Sequence, residues 1–175
     1  MFKTIAIVIA VLIAAVLIYA TTRPDSFRVQ RSARIKAAPD KIFALITDFH
    51  RWGAWSPYEK IDPGMKRTFS GAPAGKGAVY EWDGSGRIGQ GRMEIADATS
   101  PSKIVIQMDF LRPFKANSMA EFAMEPQGDA TNVTWTMDGP QPYMTKVMSI
   151  FCSMDTMVGK DFEAGLADLK VAAEK

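Results

Sequence analysis

The sequence predicts an α+β protein: an antiparallel sheet of about seven strands and a long C-terminal helix, preceded by one transmembrane helix. Three observations carry that expectation. Residues 4–22 are an uninterrupted apolar run, the middle of the chain alternates apolar and polar residues between turn signals, and apolar residues recur every three or four positions from Tyr143 to Ala173. The composition, 47% hydrophobic and 23% charged, is that of a folded chain. A net charge of +2 is too small for a nucleic-acid footprint, so no nucleic-acid partner is expected. One cysteine and one histidine exclude an internal disulfide, a Cys/His zinc cluster and a Cys-x-x-Cys redox pair, and no metal or cofactor is expected.

Taken in order, residues 1–22 are read as a membrane anchor. From Thr4 to Thr22 there is no charge, proline or glycine, and Tyr19 suits an interfacial position. A cleaved signal peptide is the competing reading. Against it, the run exceeds the usual ~7–15 apolar residues, and Ile18-Tyr19-Ala20 is a poor cleavage site. Lys3 favours a cytoplasmic N-terminus, whereas Arg23, Arg28, Arg31, Arg34 and Lys36 sit on the other flank. The side of the membrane is thus left open, with a lean to an extracytoplasmic domain. Residues 23–26 are a short tether, and 27–175 form one domain, long enough to bury about 70% of its unfolded surface without staples.

Phe27 to Lys36 alternates as a half-buried strand, with Arg31 interrupting its apolar face. Pro39 and Asp40 suit the first turn of a helix whose buried face is Ile42, Leu45, Ile46 and Phe49, ended by Gly53 and Pro57. Six strands follow: Met65 to Ser70, Ala78 to Asp83, Gln90 to Ala98, Lys103 to Phe110, Ala116 to Glu125 and Ala130 to Asp138. Asp83-Gly84, Thr99-Ser100-Pro101 and Gln127-Gly128-Asp129 are hairpin turn signals. The chain closes with one long helix, Tyr143 to Ala173.

This order, with the passages Ile35-Lys36-Ala37-Ala38-Pro39-Asp40-Lys41-Ile42-Phe43, Ile46 to Trp52 leading to Trp55-Ser56-Pro57, Val133 to Met137 and Phe162 to Lys170, resembles the SRPBCC or START-like superfamily, the helix-grip domains of polyketide cyclases. The resemblance implies a curved sheet wrapped on the C-terminal helix, with an apolar cavity between them. It is informative for fold and weak for activity, since one scaffold hosts carriers, binding proteins and enzymes.

Within that frame, strand parity assigns a ligand cavity. Tyr80, Trp82, Met93, Met108, Phe110, Phe122, Met124, Trp135 and Met137 face inward from the sheet, opposed by Met148 and Phe151, with Met144, Met154 and Met157, from the helix. Singly, each is an ordinary core residue; together the methionines make an adaptable apolar lining. Trp52, Trp55, Pro57 and Tyr58 are read as closing the cavity. Gly84-Ser85-Gly86-Arg87-Ile88-Gly89 matches G-x-G-x-x-G in letters, but a strand follows where a phosphate-binding loop needs a helix. His50 reads as a helix-end residue, Cys152 as a buried or interfacial thiol, and Glu81 and Asp83 as solvated. Asn132-Val133-Thr134 is a glycosylation sequon in letters only.

The expected function is membrane-anchored binding of a hydrophobic small molecule or lipid, as carrier, chaperone or sensor, with no catalytic residue assigned. The alternatives are a polyketide cyclase or dehydratase using Tyr80, Asp48 or His50, and a co-chaperone-like interaction module. Leu111 to Phe114 and Gly139 to Tyr143 combine apolar residues with proline and are read as a membrane-facing gate.

Overall fold

The computed structural model describes residues 2–86 and 88–175. It begins with α1 (Phe2–Thr21), a 20-residue helix of mean hydropathy 2.7. At 1.5 Å per residue it is long and apolar enough to cross a membrane. Then come β1 (Ser26–Ile35), α2 (Pro39–Thr47), a 3₁₀ turn (Phe49–Ala54) and α3 (Pro57–Ile61). Strands β2 (Lys66–Gly71), β3 (Ala78–Asp83), β4 (Gln90–Thr99), β5 (Lys103–Arg112), β6 (Ala116–Gln127) and β7 (Ala130–Pro140) lead to α4 (Tyr143–Ser149) and the 20-residue α5 (Met154–Ala173).

All seven strands form one antiparallel sheet in the order β1-β7-β6-β5-β4-β3-β2. Strands β2 to β7 are a meander of hairpins, and β1 closes the sheet by pairing with the last strand. The β6–β7 turn shows why the chain reverses there. Gln127 pairs with Ala130, leaving Gly128-Asp129 as a two-residue loop. Gly128 has φ +66° and Asp129 does not, the type II′ geometry whose first central position needs glycine.

The register also sorts the loops. Ser26 lies beside Pro140, Phe110 beside Ala116, and both Arg112 and Asp83 beside Gln90. The exit of α1, the entry to α4 and the β3–β4 and β5–β6 loops therefore share one end of the sheet. The β2–β3, β4–β5 and β6–β7 turns share the other. Arg87, in the β3–β4 loop, lies outside the described residues, and β4 rather than a helix follows that loop.

Arg31, the break in the apolar pattern of β1, clamps α5 to that strand. Its guanidinium bonds Asp155 and Glu163, each at 2.7 Å. It crosses the helix at Gly159, where an added Cβ would lie 2.1 Å from the guanidinium. The core lies between the sheet and the helices. Trp135 stacks on Phe162 of α5 at 4.0 Å and on Phe122 at 4.8 Å, and Trp55 meets both Phe122 and Trp135 edge-on. Gly165 makes room for this stack, since a Cβ there would come within 2.8 Å of Trp135 and 3.0 Å of Pro57. Valine gains some helix propensity over glycine but over-packs a ring already held on two sides. Gly165→Val is therefore expected to destabilise by about 2–3 kcal/mol, measured as a lower urea midpoint at unchanged m-value.

The C-terminal segment departs from the single helix expected over Tyr143 to Ala173. It is two helices joined by an elbow at Ile150 to Ser153. The reason is polar. Ser149 Oγ donates to the Lys146 carbonyl at the end of α4, and Ser153 Oγ accepts the Thr156 amide at 3.1 Å, capping α5. Apolar spacing does not register caps. The bend turns Met148 and Phe151 outward, 56% and 77% exposed, together with Met144 and Met157, against the expectation that they face the sheet. Cys152, expected to be buried or interfacial, is exposed on the same elbow.

Candidate functional site

Nine of the eleven residues assigned to the cavity come together on the inner face of the sheet. Tyr80, Trp82, Met93, Phe122, Met124, Trp135 and Met137 are buried, while Met108 and Phe110 are half-buried on β5. Met148 and Phe151 lie outside this group, on the elbow. Trp52, Trp55 and Pro57 are buried, with Trp55 packed edge-on against Trp135, and none of them lines either of the two surface clefts described next. Two clefts at the surface have volumes of about 140 and 210 Å³. Both are below the ~300–1,000 Å³ usual for a small-molecule site. The buried inner-face side chains belong to one core cluster.

The indole nitrogens set one position apart. Trp52 donates to the Ile46 carbonyl at 2.9 Å, Trp55 to Leu45 at 3.2 Å and Trp82 to Ile88 at 3.2 Å. Trp135 Nε1 is buried with no hydrogen-bond partner among the described residues. An unsatisfied buried donor costs about 1–3 kcal/mol, which sets this N–H apart from the three satisfied indoles.

A polar network that sequence parity missed joins α3 to β2 and β3, toward the other edge of the sheet. Tyr80 Oη donates to Glu59 Oε1 at 2.5 Å, and Arg67 Nε donates to Glu59 Oε2 at 2.7 Å. Arg67 also reaches the carbonyls of Pro63 and Met65. Burial, then the neighbouring Glu59 carboxylate, pushes the Tyr80 phenol above its usual range. Such a phenol gives up its proton poorly near neutral pH. Glu59 sits on the short α3, where no periodicity marks its direction; only the alternation of Arg67 along β2 was available as a signal.

The other candidates for proton transfer stand elsewhere. Asp48 Oδ1 accepts the His50 backbone amide and lies 3.0 Å from His50 Nδ1, while Oδ2 faces Arg51. The His50 ring stacks on Phe69 at 4.2 Å and lines the smaller surface cleft. Tyr80 and His50 are thus held by different carboxylates, one interior and one at the surface. Glu81 and Asp83 are exposed on the outer face, where Asp83 pairs with Arg112.

Solved structures share this architecture. They include the di-domain ARO/CYC BexL from the BE-7585A biosynthetic pathway, with 13% identity and TM-score 0.64, covering 90% of this chain and 53% of that one, so this chain spans about half of it. Major latex-like protein 151 from Panax ginseng matches with 13% identity and TM-score 0.60, covering 87% of this chain and 100% of that one. The Aha1 dimer from Colwellia psychrerythraea matches with 17% identity and TM-score 0.58, covering 85% and 96%. At such identities the likeness is one of fold. No curated protein matches the chain. The family described as polyketide cyclase / dehydrase and lipid transport matches residues 26–174, from the first residue of β1 to the residue that caps α5. With its seven-stranded antiparallel sheet packed on a long C-terminal helix, the chain belongs to that family of helix-grip domains.

Proposed function

We propose that this protein binds one hydrophobic or amphipathic small molecule, of the lipid class, between the sheet and α5, and acts as a membrane-anchored carrier, chaperone or sensor. In this reading residues 1–22 are the anchor, 23–26 the tether and 27–175 the binding domain. The observation that carries it is the unpartnered, buried Trp135 Nε1, an N–H available to an oxygen of the guest. Met124 on the neighbouring β6 and Met137 on β7 flank that region, and Met93 and Met108 extend the apolar face over β4 and β5; these unbranched side chains change rotamer readily, so a guest is admitted by their displacement. Entry lies at the sheet end that α1 shares with the β5–β6 loop, where Phe114 is 75% exposed and Met108 and Phe110 lead inward. A guest leaving a bilayer thus has a short apolar route.

The test is solvent extraction and mass spectrometry of the full-length chain isolated in polymer nanodiscs from its native membrane. Wild type is expected to yield one compound at about one per chain above the bulk lipid background. Trp135→Phe, which keeps an aromatic ring but loses the N–H, should retain several-fold less, since one hydrogen bond is worth about 1 kcal/mol. Extracts indistinguishable from bulk lipid in both proteins would refute the reading. Phe114→Asp, on the exposed loop, is expected to slow uptake of a fluorescent fatty acid without changing the amount held at equilibrium; unchanged uptake refutes the gate.

A further inference from the structure

The elbow leaves an apolar stripe exposed on α4. Met144, Met148 and Phe151 recur at helical spacing and are 69%, 56% and 77% exposed. The amides of Phe151 and Cys152 both bond the Met148 carbonyl, so the turn carries the stripe past the end of α4. The polar residues of the helix point the other way. Lys146 and Ser149 are buried, and Lys146 pairs with Asp25 of the tether at 2.5 Å. Lys146 is the sole charged residue between Pro140 and Ser153, so the exposed side of this segment carries no charge. A stripe of large apolar side chains with no charge among them suits contact with lipid and is avoided on a face turned to water.

The attachment of α4 to α1 identifies what covers the stripe. The two helices pack together, and Tyr143 Oη donates to the Leu17 carbonyl at 2.9 Å. At about 1.5 Å per residue, Leu17 lies ~6 Å inside Thr21, the last residue of α1. Tyr19 and Arg23, whose guanidinium lies 5.9 Å from the Tyr19 ring centroid, suit the headgroup level at that end of the span. The Gln141 amide donates to the Asp25 carbonyl at 2.7 Å, a second tie between the entry to α4 and the tether. In a bilayer crossed by α1, the first turn of α4 is thus held where headgroups meet acyl chains. In-plane amphipathic helices bury their apolar face to that depth, roughly 5–10 Å.

We infer that α4 and the elbow are an in-plane membrane segment, with Met144, Met148 and Phe151 in the acyl boundary of the bilayer that α1 crosses. This rests on the reading of α1 as a membrane span and is independent of a guest at Trp135. The domain is then held to one membrane by two contacts, and keeps a fixed tilt rather than swinging on its tether. The end of the sheet that α1 shares with the β5–β6 loop faces the lipid.

The test uses Cys152, the chain's single cysteine and exposed on the elbow, to carry a fluorophore. The labelled full-length chain is reconstituted at one copy per phosphatidylcholine nanodisc, which excludes cover by a second copy. Its emission is expected to be quenched by phosphatidylcholine brominated on the acyl chains. Quenching by aqueous iodide should be several-fold weaker than at position 129, reached by Cys152→Ser/Asp129→Cys in the β6–β7 turn at the other end of the sheet. Met148→Glu/Phe151→Glu, which alters two exposed side chains, is expected to lose the bromolipid quenching and to raise iodide quenching to the level at position 129. Iodide quenching of wild type equal to that at position 129, or unchanged quenching in the glutamate variant, overturns the inference. Protection that appears only when two chains share a disc assigns the stripe to a second copy and overturns the lipid contact. Alkaline carbonate extraction from native membranes separates the premise: a released chain refutes the span and the inference with it, whereas a retained chain whose elbow stays in water refutes the in-plane segment alone.

Discussion

Phe162→Ala is expected to destabilise the domain by about 3–5 kcal/mol, whereas Phe151→Ala should change stability by less than ~0.5 kcal/mol. In the sequence the two phenylalanines belong to one apolar stripe. In the structure Phe162 is buried and parallel to Trp135, at 7° and 4.0 Å, while Phe151 stands in the open on the elbow. Truncating Phe162 removes one side of the stack that runs through Trp135 to Phe122, and the cavity left there is walled by rings that cannot collapse into it. Urea unfolding of both variants at neutral pH makes the comparison. Similar losses at the two positions would mean that the segment is the continuous helix its periodicity implies, and that the elbow is wrong.

The second large effect concerns the interior ion pair. Arg67→Ala takes the cation from Glu59, whose side chain is 9% exposed, and leaves the carboxylate with the Tyr80 hydroxyl as its partner. Breaking a buried pair by removing one member costs about 3–5 kcal/mol, and partial exposure of Arg67 brings the expected loss to about 2–4 kcal/mol. Tyr80→Phe, which removes a hydrogen bond to a charged acceptor, should cost about 1.5–3 kcal/mol. Tyr80→Phe also differs from wild type in alkali. The folded chain holds the phenol neutral more tightly than the unfolded chain does, because burial and Glu59 both disfavour the phenolate. The stabilisation from that group is complete below about pH 10 and is lost as pH rises beyond it, by up to ~1.4 kcal/mol per pH unit. Wild type should therefore lose more stability than Tyr80→Phe between pH 9 and 11. Parallel pH profiles would show that the phenol titrates alike in both states.

The strands were legible because each is half-buried, so a period of two is written directly into residues such as Met93-x-Ile95 and Phe122-x-Met124. The inner-face assignments from β3 to β7 follow from the same parity. Legibility stopped where polar groups decide. Ser149 and Ser153 broke the last helix without altering its apolar spacing, and so removed Met148 and Phe151 from the predicted lining. Glu59 joined the interior because Arg67 and Tyr80, 8 and 21 residues away, converge on it. Arg31 looked like a fault in a strand until α5 supplied its two carboxylates from more than 120 residues downstream. A vacant indole N–H has no sequence signature, since the same residue type is satisfied at Trp52, Trp55 and Trp82.

The pairing of β1 with β7 also orders events in time. Ser26 finds its partner in Pro140 and Ile35 in Thr131, so the first strand leaves the ribosome roughly ten seconds before the last one exists to receive it. During that interval the meander from β2 onward can zip by local hairpins, but the edge strand and the helix clamped to it by Arg31 have nothing to join. The barrier to folding is thus expected to be the closure of a loop spanning most of the domain. A chain stalled before residue 131 leaves β1 an open edge, free to pair with another molecule.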